Sequence, residues 1–245
     1  MRYLITFAYD GTLFSGYQKQ RGLRTVQEEI EKALYQINDH QKTIIHSSGR
    51  TDKGVHAAHA KAHFDLEVSI TPSKLTRALN RYLPSDIAVQ DSSVVEEDFH
   101  ARYMVKEKEY RYYISLGAYQ PILRNYVYQR NYPLDISLME KAIKFFEGTH
   151  DFRSFVSENR DKENCVRTIY KANIEYDENR KIVCFIFRGN GFLKYQVRNM
   201  VGYLIQVGEK KVSFDSVKDA LEKKDRSQGF KTAPSVGLYL IDVKY

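Results

Sequence analysis

The residues with the clearest chemical potential lie in one short loop, Gly49-Arg50-Thr51-Asp52-Lys53-Gly54. Two glycines bracket three charged side chains. A carboxylate flanked by cations favours its ionised form, because opposite charges stabilise the anion. A fixed, ionised carboxylate suits chemistry at the anomeric carbon of a sugar, as in glycosidases. The same residues also fit a plain strand-connecting turn, with glycine supplying its backbone angles. Residue types alone leave both readings open.

Other chemistries find less support. His56, His59 and His63 look like a ligand cluster. They lie in an alternating segment, however, and at about 3.3 Å per residue His59 and His63 would stand roughly 13 Å apart. Cysteine partners for a zinc site are missing nearby. Gly189-Asn190-Gly191-Phe192-Leu193-Lys194 begins like a dinucleotide-binding loop but ends in Lys194, with no acidic residue placed for a ribose. It reads as a turn and a helix start. The chain contains no phosphate-binding GxxxxGK[ST] loop, no GxSxG nucleophile elbow and no RNA-recognition-motif signature.

The elements that must carry the loop follow from hydrophobic periodicity. Residues 2–9 alternate Tyr3, Ile5, Phe7 and Tyr9 against Leu4, Thr6 and Ala8, as a half-buried strand does. Thr25 with Glu28 reads as a capping box opening a helix whose apolar stripe is Val26, Ile30, Ala33, Leu34 and Ile37. A short strand is expected at 43–47, then the charged loop, then a strand at 59–66. Pro72 opens a second helix carrying Leu75, Ala78, Leu79 and Tyr82, and 86–95 returns as a strand. The second half repeats the order: a strand at 106–116, a helix from Ser137 to Glu147 stopped by Gly148, strands at 166–176 and 181–188, helices at 192–207 and 214–223, and a strand at 237–244. The expected class is α+β: two ferredoxin-like β-α-β-β-α-β halves, 1–104 and 105–245, with largely antiparallel sheets flanking a central active-site cleft.

Composition bounds the partners. The chain has 245 residues, with 38 Lys+Arg against 31 Asp+Glu, a formal net charge of +7. A basic surface attracts polyanions, above all nucleic-acid phosphates. Of its aromatics, 19 are Tyr and none is Trp, and many interleave with arginine, as in Tyr110-Arg111-Tyr112-Tyr113. Such tyrosines can stack on unpaired bases or simply line strands with one buried face. Cys165 and Cys184 form no CxxC pair, which suits a reducing cytoplasm. No apolar run approaches the roughly 20 residues of a membrane span, and no secretion signal is recognisable.

Residues 49–57, Gly49-Arg50-Thr51-Asp52-Lys53-Gly54-Val55-His56-Ala57, resemble the active-site motif of the tRNA pseudouridine synthase A family. Further segments match that family in order. Tyr9-Asp10-Gly11-Thr12-Leu13-Phe14-Ser15-Gly16-Tyr17-Gln18 resembles its N-terminal motif, with Tyr17 where Trp is usual. Lys108-Glu109-Tyr110-Arg111-Tyr112 resembles its tyrosine strand. Asp151-Phe152-Arg153-Ser154-Phe155, Arg167-Thr168-Ile169, Gln196-Val197-Arg198-Asn199-Met200-Val201-Gly202 and Ala233-Pro234-Ser235-Val236-Gly237-Leu238-Tyr239 match as well.

The resemblance implies an RNA isomerase that converts uridine to pseudouridine at positions 38, 39 and 40 of the tRNA anticodon stem and loop. It implies no cofactor, tRNA as partner, a homodimer, and a cytoplasmic place of action. Carried over by motif, Asp52 is the essential carboxylate and Arg198 pairs with it. Tyr110 packs on the uracil face and Arg50 fills the gap left when the base leaves the stack. Two alternatives remain at this point: a non-catalytic RNA-binding protein, and a pseudouridine synthase with another RNA target. No membrane or nucleotide-cofactor partner is expected.

Overall fold

The computed structural model describes residues 1–157, 164–224 and 231–245. The chain divides into two compact units, Met1–Lys106 with Tyr239–Tyr245, and Glu107–Leu238.

Unit 1 is built on β1 (Arg2–Tyr9), β2 (His46–Ser47), β3 (His56–Asp65) and β4 (Ile87–Val94), with helices α1 (Val26–Ile37) and α2 (Pro72–Tyr82). β1 lies between β3 and β4, antiparallel to both. Its alternation works as its sequence implies: Tyr3, Ile5, Phe7 and Tyr9 are all buried. α1 starts where Thr25 caps it, the hydroxyl accepting the Glu28 N–H at 3.4 Å. Its stripe buries Val26, Ile30, Ala33 and Leu34. From α2, Leu75 and Leu79 are buried, while Tyr82, expected on the same stripe, is 49% exposed at the helix end. Each fully buried leucine or isoleucine contributes about 1.5–3 kcal/mol.

β3 begins at His56, three residues earlier than its alternation suggests, because a distant strand pairs with its start. That strand is β10 (Leu238–Lys244), which runs parallel to β3 with Tyr239 opposite His56 and Leu240 opposite Ala57. Periodicity assigned β10 to the end of the second half; residues Tyr239–Tyr245 instead complete unit 1.

Unit 2 is built on β5 (Glu107–Ser115), β6 (Tyr128–Gln129), β7 (Gly148–Asp151), β8 (Val166–Asp177) and β9 (Ile182–Gly189), with α3 (Ile136–Ile143), α4 (Gln196–Gly208) and α5 (Ser216–Lys223). β5, β9, β8 and β7 form an antiparallel sheet in that order; β6 pairs parallel to β5. Tyr112, Ile114, Phe185, Phe187, Ala172 and Ile174 form its buried face. α3 is capped by Asp135, whose carboxylate accepts the Leu138 N–H at 3.1 Å. It tightens into a 3-10 turn over Lys144–Phe146, so the α-helix stops short of the expected Glu147.

The expected helix 192–207 starts four residues late, at Gln196. The Gln196 side chain accepts the Leu193 N–H at 2.8 Å, and Tyr195 takes a left-handed backbone, φ 67°. This holds 192–195 as a turn. α4 is buried on nearly all sides, so it is a core helix. Cys165 and Cys184 are both free and buried. Burial, opposed by smaller effects of Tyr113 and Arg111, pushes the Cys184 thiol up to about 11, which makes it a packing residue. Among the described residues no helix is long and apolar enough to cross a membrane.

Candidate active site

The charged loop of residues 49–55 connects β2 to β3 in unit 1. Asp52 is half-buried, and Arg50 and Lys53 on either side are exposed. The loop closes on itself where the Val55 N–H donates to the Asp52 carbonyl at 3.2 Å. Gly54, at φ 77°, turns the chain there. Before it, the Ser47 hydroxyl donates to the Gly49 carbonyl at 2.9 Å.

Its outer grip comes from the segment that follows β1. The Tyr9 and Thr51 hydroxyls lie 2.8 Å apart, and the Tyr17 N–H donates to the Thr51 carbonyl at 3.1 Å. Burial holds both the Tyr9 and the Tyr17 phenols above their ordinary range, offset in part for Tyr9 by its hydrogen bond to Thr51, so both rings stay neutral at physiological pH. Two glycines allow this approach. A Cβ on Gly11 would stand 2.0 Å from the Val55 carbonyl oxygen. Gly16 has φ 101°, and a Cβ there would stand 2.9 Å from the Thr51 carbonyl oxygen.

His56 closes the same joint. It is buried and its ring stacks on Tyr239 at 4.6 Å. Its Nδ1 lies 3.1 Å from the Gly11 N–H and 3.2 Å from an Asp10 carboxylate oxygen. The first contact needs the neutral ring as acceptor, and the second needs Nδ1 to carry a proton. Asp10 also caps the following 3-10 turn, accepting the Thr12 N–H at 2.9 Å, and its own N–H donates to the Asp86 carbonyl at 3.0 Å. Asp86 is in turn held in a two-point pair by Arg24, at 2.7 and 2.9 Å. The Asp52 loop therefore rests on a connected scaffold, which is the condition for a side chain to be held in one place.

Unit 2 carries Tyr110 and Arg198. Tyr110, on β5, is only 8% exposed and meets Phe192 edge-on at 5.2 Å. Arg198 lies in the first turn of α4, half-buried on a helix otherwise buried. Its Nε donates to the Ala233 carbonyl at 2.8 Å, and the Ala233 N–H returns a bond to the Arg198 carbonyl at 3.1 Å. The guanidinium stands 4.9 Å from the centre of the Tyr195 ring. Tyr110 and Arg198 thus both touch the turn 192–195, the segment whose glycines had suggested a nucleotide loop. Arg50 and Asp52 share one loop of unit 1, and Tyr110 and Arg198 share one region of unit 2. Of the three histidines that looked like ligands, His56 serves the loop and His59 meets the Ile241 carbonyl at 2.9 Å. His63 is buried, accepting the Ala101 N–H at 3.1 Å.

A sequence profile described as tRNA pseudouridine synthase matches residues 5–104 and 142–245. A tRNA pseudouridine synthase A of Geobacillus sp. (strain WCH70) is 46% identical over 241 residues, 98% of this chain and 96% of the relative. One from Streptococcus pyogenes serotype M49 (strain NZ131) is 46% identical over 246 residues, 100% of this chain and 99% of the relative. The chain belongs to the tRNA pseudouridine synthase family. Its reaction is the isomerisation of uridine to pseudouridine in tRNA. Among solved structures, the archaeal box H/ACA sRNP Nop10-Cbf5 complex is similar at 15% identity and a TM-score of 0.39, over 84% of this chain and 44% of that one.

In the synthase, the residues that single-sequence reasoning missed are those that hold the others. Tyr9, Gly11, Gly16, Thr51 and His56 grip the Asp52 loop, and Gln196 and Ala233 set the start of α4 and its arginine. Apart from Tyr9 in the alternation of the first strand, no periodicity marks them. The other signal was their presence in the family-like segments 9–18, 49–57, 196–202 and 233–239.

Proposed function

We propose that this synthase acts on uridines 38, 39 and 40 of the anticodon stem and loop, with Asp52 as its catalytic carboxylate. The observation that carries the residue assignment is the grip on the Asp52 loop. Hydrogen bonds from Tyr9 and Tyr17 and the close approach of Gly11 all converge on the five residues from Thr51 to Val55. A carboxylate on a freely moving turn would not justify such a scaffold; one that must meet a reacting atom would. The choice of tRNA positions rests on the resemblance of residues 49–57 and the other ordered segments to the tRNA pseudouridine synthase A family; the 46% identical relatives are named synthases A.

The chemistry breaks the N1–C1′ bond, turns the uracil and joins C5 to C1′. C5 loses a proton and N1 gains one, so the product is an isomer and no electrons are exchanged with a cofactor. The target base must first leave its stack. Arg50, exposed at the edge of the loop, fills the space it vacates. Tyr110 presents its ring to the uracil and takes part in handling the C5 proton. Arg198, fixed through Nε to Ala233, pairs with the Asp52 carboxylate and holds it ionised. A fixed anion serves each of three first steps: attack at C1′, attack at C6, or removal of a sugar proton. The enzyme works in the cytoplasm as a homodimer whose subunits share each tRNA.

Mapping the product tests the reading. Unmodified tRNA treated with the enzyme and probed by pseudouridine-specific chemical labelling should stop primer extension at 38, 39 and 40. Stops confined to other positions would overturn the choice of target, and the absence of any stop would overturn the activity.

A further inference from the structure

A second feature of unit 2 lies across the sheet from Tyr110. Along β5 the side chains alternate, so Tyr110, Tyr112 and Ile114 take the buried face and Glu109, Arg111 and Tyr113 the opposite one. The register extends this second face over three strands: Glu109 is opposite Arg188 on β9, and Arg188 is opposite Lys171 on β8. Lys171 is exposed. Glu109 is nonetheless only 7% exposed, because two arginines cover it.

Arg111 donates its Nε to one carboxylate oxygen of Glu109 at 2.7 Å, and Arg188 donates its Nε to the other at 2.7 Å. Burial alone would raise the Glu109 carboxyl; the two arginine hydrogen bonds outweigh it and hold the group below its ordinary range. Neutralising Glu109 needs one guanidinium, and the second leaves an excess positive charge to which Lys171 adds. Each guanidinium has five N–H donors and spends one on Glu109. The side chains remain about a third exposed, 32% for Arg111 and 36% for Arg188. Arg111 also neighbours the Tyr113 hydroxyl. Two planar forks fixed on one carboxylate, each about a third exposed, match the geometry of phosphate oxygens.

We propose that Arg111 and Arg188, held in place by Glu109, form a binding site for backbone phosphates of the tRNA substrate. Glu109 is the positioning residue: it fixes the two forks at the cost of one negative charge. The site adds affinity without reading sequence, as phosphate contacts do.

The test is the binding of an unmodified tRNA transcript across a salt series, with Arg111→Gln, Arg188→Gln, Arg188→Lys and Glu109→Gln. Each Arg→Gln variant should weaken binding about tenfold and lower the slope of log Kd against log salt by about 0.7–0.9. Arg188→Lys keeps the charge opposite Glu109, and with it the fold, but loses the fork; affinity should fall while the slope stays. Glu109→Gln is the decisive variant, because it removes a negative charge from an RNA-binding protein. A patch acting through net charge alone would bind more tightly, whereas a pair that depends on Glu109 for its placement should bind several-fold more weakly. Tighter or unchanged binding by folded Glu109→Gln overturns the proposal. So does wild-type affinity in Arg188→Lys. Unchanged RNA binding with an altered sedimentation coefficient would assign the pair to a protein contact and refute it as an RNA site.

Discussion

Gly11→Ala tests how the Asp52 loop is held. The added Cβ would stand 2.0 Å from the Val55 carbonyl oxygen and 2.5 Å from its carbon. Cβ atoms essentially never come closer than 3.0 Å, so the backbone must give by at least 3.0 − 2.0 = 1.0 Å. The obstacle is main chain and cannot rotate away. Val55 is the residue whose N–H closes the loop onto the Asp52 carbonyl, so the shift passes to Asp52. Displacing a reacting group by about 1 Å costs roughly 100-fold in rate. The overpacking itself costs about 1–3 kcal/mol of stability, which a domain of ordinary stability survives. The assay is single-turnover conversion of tRNA labelled with tritium at uridine C5, followed by its release. Circular dichroism and tRNA binding serve as controls. The variant should fold, bind tRNA near the wild-type level and turn over about 100-fold more slowly. A folded variant with a near-wild-type single-turnover rate would refute the claim that this contact positions Asp52.

Three further expectations follow from other parts of the molecule. Tyr110→Phe should retain far more activity than Tyr110→Ala if the ring packs on uracil; equal loss in both would assign the essential role to the hydroxyl. Arg198→Ala, on a helix that tolerates alanine, should fold and lose most of its single-turnover rate, and a folded variant with full activity would reject its service to Asp52. His63 is held neutral, its pKa lowered to about 4, by burial first and then by His100, His46 and Arg2, with Asp65 opposing. The unfolded chain takes up that proton near pH 6.5, so stability should fall as pH drops from about 6.5 toward 4. His63→Asn, which can still accept the Ala101 N–H, should flatten the fall in melting temperature, and an unchanged pH dependence would remove His63 as its source.

The fold was legible where local patterns decide it. The alternation of Tyr3, Ile5, Phe7 and Tyr9, the Thr25 cap and Pro72 at a helix start all act within a few residues, and each element formed as they indicate. What was not legible depends on distant partners. The start of β3 at His56 needs β10, whose pairing residue Tyr239 is far along the chain. β6 and β7 are strands only because β5 and β8 lie beside them. The late start of α4 comes from one side chain, Gln196, bonding to Leu193. The candidate site divides in the same way. Asp52 and Arg50 stood out as charges in a glycine-bracketed loop. Tyr110 and Arg198 could be named only by family likeness, since nothing in their local pattern separates them from an ordinary strand tyrosine and helix arginine. Gly11 and Gly16 looked like turn residues, and their purpose lies in the main chain they approach.

The central claim is that Asp52 supplies the one anion the isomerisation requires. Asp52→Asn preserves size and hydrogen-bonding capacity and removes the charge. On this account the variant folds, binds tRNA at least as tightly as wild type because one repulsion with phosphate is gone, and forms pseudouridine only at background level, since no other residue replaces a positioned anion. Single-turnover measurement of pseudouridine in tRNA incubated with folded Asp52→Asn is therefore the most direct test. Background conversion is the predicted result; conversion at a rate near that of wild type would contradict it.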